Sequence, residues 1–180
     1  MFLLYAVAGG IVAGYALGGR LDRLAAIEFR WAPLALVGLL VQLALFSPLG
    51  GRLPETWIPI VYIASTATVL AVVIRNARLP GLLLVAVGAT ANLLAIVTNG
   101  GYMPADPDAL ASLGMAEPSG PTNSVASARP VLRILTDIFA LPGWLPLANV
   151  FSIGDILVAV GIAVAIAVGM RRPAPDRPVR

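Results

Sequence analysis

The chain has 180 residues, of which 59% are hydrophobic and only 12% charged, about half the charged share of a soluble domain. A soluble fold of this length cannot cover so much apolar surface, whereas a bilayer solvates it. Cysteine and histidine are absent and all twelve basic residues are arginine, which excludes disulfides, thiolate and imidazole chemistry, Schiff-base lysines and the commonest metal ligands.

A net charge of +3 and a pI near 10.0 would point to nucleic acid in a soluble protein. Here the arginines are spread over short segments and a tail, with no aromatic-basic surface to read bases, so nucleic-acid binding is excluded.

A helix needs about 20 apolar residues to cross roughly 30 Å of hydrocarbon, and five stretches approach that length. The first is 2–19. No basic residue precedes it and arginines follow, the pattern of a retained helix with its N-terminus outside rather than of a cleaved leader. Ala6, Gly10, Gly14 and Gly18 recur every four residues along it. Such a stripe lets another helix come close; packing within the bundle is the simpler expectation and self-association the alternative. Residues 20–30 are a short arginine-containing connector. The second, third and fourth spans are 31–49, 57–74 and 80–98. Pro33, Pro59 and Pro80 fall in their first turns, where a missing N–H costs little. Trp31, Trp57 and Tyr62 lie at or near span ends, as interfacial aromatics do.

Asn99-Gly100-Gly101 reads as a glycine stop, and a long segment, 99–149, follows. Its Pro, Ala, Ser and Gly content predicts irregular loop over 102–129, with Asp106 and Asp108 solvated rather than catalytic. Over 130–141 the spacing predicts a helix with Val131, Leu132, Ile134, Leu135, Ile138 and Phe139 on its apolar face and Arg133, Thr136 and Asp137 on the other. At about 18 Å it is too short to span and is expected at the membrane interface. Residues 142–146 then turn the chain into the fifth span, 150–170. The tail, 171–180, carries Pro173, Pro175 and Pro178 and is expected to be disordered, within reach of anionic lipid.

Segments 20–30, 75–79 and 171–180 hold nine arginines, and the alternate segments 50–56 and 99–149 hold three. The positive-inside rule puts the first set in the cytoplasm. The expected architecture is therefore an all-α integral membrane protein. Five transmembrane helices form a single bundle over residues 1–170, N-terminus out and C-terminus in, with a short interfacial helix in the outer segment.

Helical rise places Gln42 about 10 Å, Asn92 about 9 Å and Asp155 about 7 Å below the outer surface, with Tyr62 and Ser65 at roughly 7 and 12 Å. Gln42, Asn92 and Asp155 thus form a candidate polar layer, either for a ligand or for structure. Asp155 is the one charge expected inside the hydrocarbon, and such charges mark functional sites by default. Against that, Ser152 with Asp155 three residues later resembles a capping box, with Asp in place of Glu or Gln, and the helix dipole favours a carboxylate in a first turn. Three readings remain open: a structural cap, an outward-facing binding pocket beneath 130–141, and an ion-coupled carrier, for which one carboxylate is thin equipment.

Asn99-Gly100-Gly101-Tyr102-Met103-Pro104, followed later by Asn149-Val150-Phe151-Ser152-Ile153-Gly154-Asp155, resembles the bacterial membrane-protein family known as domain of unknown function 5317. The likeness extends to the glycine-rich first span, Phe46-Ser47-Pro48-Leu49-Gly50, Leu79-Pro80-Gly81 and the acidic position at Asp137. It implies the membrane class and no activity. Asn99, Gly100, Gly101, Asn149, Ser152 and Asp137 are read as one outer corner, where the two signatures meet by hydrogen bonding.

No enzyme signature is present: serine has no histidine or lysine to activate it, and nothing in the sequence fixes the separation of Asp137 and Asp155. No cofactor or metal is expected. The expected function is non-enzymatic: an accessory, assembly or scaffold subunit whose partners are the lipid bilayer and another membrane protein or a second copy. The alternative is a binder or carrier of a lipid or small amphiphile through the outer polar layer.

Overall fold

The computed structural model describes residues 2–116 and 123–172 and is mostly helical. Five helices carry it: α1 (Phe2–Ala16), α2 (Ala32–Leu45), α3 (Trp57–Arg75), α4 (Leu82–Thr98) and, after the long connecting segment with its short α5 (Pro107–Ala111), α6 (Ile153–Gly169). Among the described residues only α3, with 19 residues, is by itself long and apolar enough to cross a membrane. The other four are apolar helices of 14 to 17 residues.

Their ends have local causes. Pro33 starts α2, where its fixed φ suits the first turn and its missing N–H is not needed. Pro48 disfavours helical backbone at Ser47, so α2 stops at Leu45 rather than at 49. The helix α1 stops at Ala16, and Gly18 beyond it takes φ +75°. Gly18 faces open space, which corrects its expected place in the packing stripe. Gly10 and Gly14 do pack, against α6: a Cβ at Gly10 would lie 2.9 Å from the Cα of Ala163, and one at Gly14 would strike Met170.

The packing order is α1 on α6, α6 on α4, α4 on α3 and α3 on α2. This is an arc, and its end helices α1 and α2 have no packed interface with each other among the described residues. Glycine brings α4 and α6 close together. A Cβ at Gly88 would lie 2.9 Å from the backbone nitrogen of Val158, and one at Gly161 would lie 2.8 Å from that of Val85. On α2, Leu36, Val37, Leu39, Leu40 and Leu43 are each more than half exposed.

At one end of the arc the arginine-bearing segments meet. The N–H of Arg20 donates to the carbonyl of Met170 at 2.8 Å. The buried Asn76 side chain accepts from the N–H of Arg30 and donates to its carbonyl, both at 2.8 Å. The expected tail lies, from residue 173, outside the described residues.

The connecting segment covers the opposite end, and it differs most from expectation. Strand β1 (Met103–Ala105) pairs in parallel with β2 (Ser124–Ala126), and β3 (Phe139–Ala140) pairs antiparallel with β4 (Val150–Phe151). Residues 102–129 are therefore not simply irregular loop. Asp106 caps α5 through the N–H groups of Asp108 and Ala109 and binds Arg133 at 2.7 Å; its side chain is largely covered rather than solvated.

The helix expected over 130–141 does not form. The Asn99 side chain donates to the carbonyl of Val131 and accepts from its N–H, at 2.9 and 2.8 Å. Leu132 takes the left-handed conformation, φ +55°, and only a single 3-10 turn, Arg133–Leu135, follows. Beyond it the Asp137 N–H donates to Pro104 and its carbonyl accepts from Asp106. These cross-links hold Val131 and Asp137 to other parts of the chain, and between them there is room for one 3-10 turn and no helical ladder. The expected faces are also reversed: Val131, Leu132 and Ile134 are exposed while Thr136 and Asp137 are buried.

Candidate functional site

Beneath this cover, on the concave side of the arc, lies a cavity of about 550 Å³. All five long helices contribute to it: Leu3 of α1, Leu39 and Gln42 of α2, Tyr62 and Thr66 of α3, Ala89 and Asn92 of α4, Asp155 and Val158 of α6. Met103, Asn123, Ser124, Asp137, Asn149 and Val150 close it from above. Ligand sites commonly fall in this size range and pair apolar walls with a few convergent polar groups.

Each polar group is held by a local cause. Ser152 is the N-cap of α6: its Oγ accepts from the N–H of Asp155 at 2.9 Å, and Asp155 Oδ2 accepts from the N–H of Ser152 at 3.0 Å. This is a reciprocal capping box, built with Asp at the third helical position. Asn92 of α4 joins it from the side. Its Nδ2 donates to Asp155 Oδ1 at 2.8 Å, and its Oδ1 accepts from Ser152 Oγ at 2.9 Å. Two hydrogen bonds thus tie α4 to the first turn of α6, beside the two of the capping box, and both carboxylate oxygens of Asp155 are engaged. Gly154 makes this possible, since a Cβ there would run into the Asn92 side chain.

Across the cavity, Gln42 Nε2 donates to Thr66 Oγ1 at 3.3 Å, tying α2 to α3. The hydroxyl of Tyr62 accepts from Asn123 Nδ2 at 2.7 Å, with the Tyr62 ring edge-on to Phe46 at 5.0 Å. Gln42, Asn92 and Asp155, the expected polar layer, therefore border one space, joined by Tyr62. Ser65 is buried elsewhere, its hydroxyl donating to the carbonyl of Tyr62.

Asp137 is the residue whose setting the sequence did not disclose. Its pairing with Pro104 and Asp106 directs the side chain downward, where it is only 6% exposed and lines the cavity. Its Oδ1 has no hydrogen-bond partner. Burial, reinforced by the negative charge of Asp155 and only partly offset by the Ser124 hydroxyl, pushes its carboxyl up to about 7. Asp106 goes the other way, held below the ordinary carboxylate range by Arg133.

The expected corner resolves into separate parts. Asn99 secures Val131; Gly101, at φ +90°, lies against Pro59; Gly100, at φ +75°, faces open space. Asn149 accepts from Leu141 through its carbonyl and borders the cavity. Val150 of the second signature packs with Ala105, the residue just past the first, alongside Ala109 and Leu110. Gly88, Gly154 and Gly161 were not singled out in the sequence; their signal is a pair of seven-residue spacings, Gly81 to Gly88 and Gly154 to Gly161, on helices that pack together.

No curated protein and no solved structure matches the chain. A family model described as a family of unknown function, DUF5317, matches residues 26–167. That span takes in α2 to α4, the cover and nearly all of α6, so the cavity rests almost wholly on matched residues, and the chain belongs to the DUF5317 family.

Proposed function

We propose that this chain is a five-span protein of the bacterial inner membrane, N-terminus out, that binds a lipid or small amphiphile in the cavity beneath its outer cover. The exposed leucines of α2 and the gathering of arginines at one end support the membrane placement. Helices of 14 to 17 residues give about 21–26 Å, so local bilayer thinning and the apolar turns at their ends make up the difference.

One observation carries the binding reading. The cavity is polar where the cover meets Asn92, Asp155 and Tyr62, and apolar a turn or two further from the cover, along Leu39, Val69, Leu70 and Val158. That gradient matches a molecule with a polar head and a tail that shares the bilayer. We read the protein as a non-enzymatic binder. The accessory-subunit reading draws on the exposed α2 face alone, which lipid covers equally well.

The test is native mass spectrometry after extraction in mild detergent, on the wild type and on Ala89→Trp, whose indole would fill the cavity. A bound lipid-sized mass on the wild type and its loss from the variant are expected. A stoichiometric protein partner, with no small-molecule mass on either form, would instead favour the accessory subunit.

A further inference from the structure

We propose that the occupant of the cavity is a cationic amphiphile, an alkyl ammonium-type molecule whose head pairs with the Asp137 carboxylate. This rests on the binding reading above and specifies its ligand class.

The argument starts from an incomplete group. Asp137 is 94% buried, and its Oδ1 lacks any partner, whereas buried polar atoms in native folds nearly always have one. The residue is not there by slack in the chain, because its own N–H and carbonyl are both fixed by the cover. The Asp137 side chain lines the cavity that Asp155 also borders. Two carboxylates on one space repel each other, and a low-dielectric site strengthens that repulsion.

Among the described residues nothing supplies the countercharge. No basic residue lines the cavity, and Arg133, the arginine nearest in sequence, is turned outward onto Asp106. Three of the amides that border the space are already directed at protein oxygens, Gln42 at Thr66, Asn92 at Asp155 and Asn123 at Tyr62, while Asn149 accepts from the N–H of Val150 through its Oδ1. What the cavity lacks is therefore a donor with positive charge. An anionic head would add a third negative charge. A bound metal ion fits poorly, since among the described residues no group of three or more acidic side chains converges. An ammonium answers the deficit with several N–H donors, and its alkyl chain finds the apolar walls.

The raised carboxyl of Asp137 agrees with this geometry. An ammonium at Oδ1 favours the ionised form, so binding expels a proton from a group that faces Asp155 of α6, Tyr62 of α3 and Ser124 of β2.

The experiment uses the full-length protein in mild detergent, with dodecylamine and dodecanol as probes, and reads binding by native mass spectrometry and thermal shift. Dodecylamine should bind at least tenfold more tightly than dodecanol at pH 8. With the carboxyl near 7, its affinity should fall about tenfold between pH 8 and pH 6, following the ionised fraction. Asp137→Asn should erase the preference for the amine, and the pH dependence of the wild type supplies the same information should that variant fold poorly. Equal binding of amine and alcohol, or an amine preference that survives in a folded Asp137→Asn, overturns the cationic head while leaving the cavity reading intact. Failure of both probes to bind the wild type overturns both.

Discussion

Replacing Ser152 by alanine removes one hydroxyl that serves two helices. Its Oγ accepts from the N–H of Asp155 and donates to Asn92 Oδ1. Losing the cap costs about 1 kcal/mol. The side chain is fully buried, so water is poorly placed to replace the bond to Asn92, and an unsatisfied acceptor costs about 1–3 kcal/mol. The sum is about 3 kcal/mol, or roughly 6–12 °C in melting temperature for a chain of this size. Thermal unfolding followed by circular dichroism in mild detergent measures it. Asn92→Ala and the double variant complete a cycle, in which a shared bond gives a coupling of about 1 kcal/mol or more. A loss below about 1 kcal/mol for Ser152→Ala, or strictly additive effects in the cycle, would refute the claim that this serine joins α4 to α6.

Two glycines in similar helical sequence should respond in opposite directions. Gly9→Ala meets open space and should stabilise α1 by about 0.5–1 kcal/mol. Gly88→Ala would press a methyl onto the α6 backbone and should destabilise by about 1–3 kcal/mol; comparing the two melting temperatures checks both. Asp137 sets a pH slope. Its folded carboxyl titrates near 7 against an ordinary 3.8, so between those values the folded state holds a proton that the unfolded chain has released. Stability of the ligand-free protein should therefore fall as pH rises from about 4 to about 7 and then level off. Asp137→Asn should flatten that slope, and an unchanged slope in the variant would place the titration elsewhere.

What could be read in the sequence followed the range of the interaction. Ser152 and Asp155 are three residues apart, so their capping box is a local pattern, visible before any fold is known. Gln42, Asn92 and Asp155 are distant in sequence, yet helical rise is regular enough to set them at similar depth. Asp137 was out of reach because its position depends on pairing with residue 104, more than thirty residues away. The same pairing defeated the expected helix over 130–141. An apolar repeat across twelve residues is weak evidence when Asn99 and Pro104 compete for the same backbone groups. The close approach of α4 and α6 was missed because a seven-residue glycine spacing gains meaning only once the partner helix is known.

The pairing of α1 with α6 bears on how the protein is made. The first helix ends at residue 16 and its principal neighbour begins at residue 153. At about 5–20 residues per second, roughly 7–30 s of synthesis separate the two. Through that interval the glycine face of α1 lacks its principal neighbour. Truncation before Ile153 would therefore leave the amino-terminal helix stranded and exposed to quality-control proteolysis, even though every residue of that helix had been made correctly.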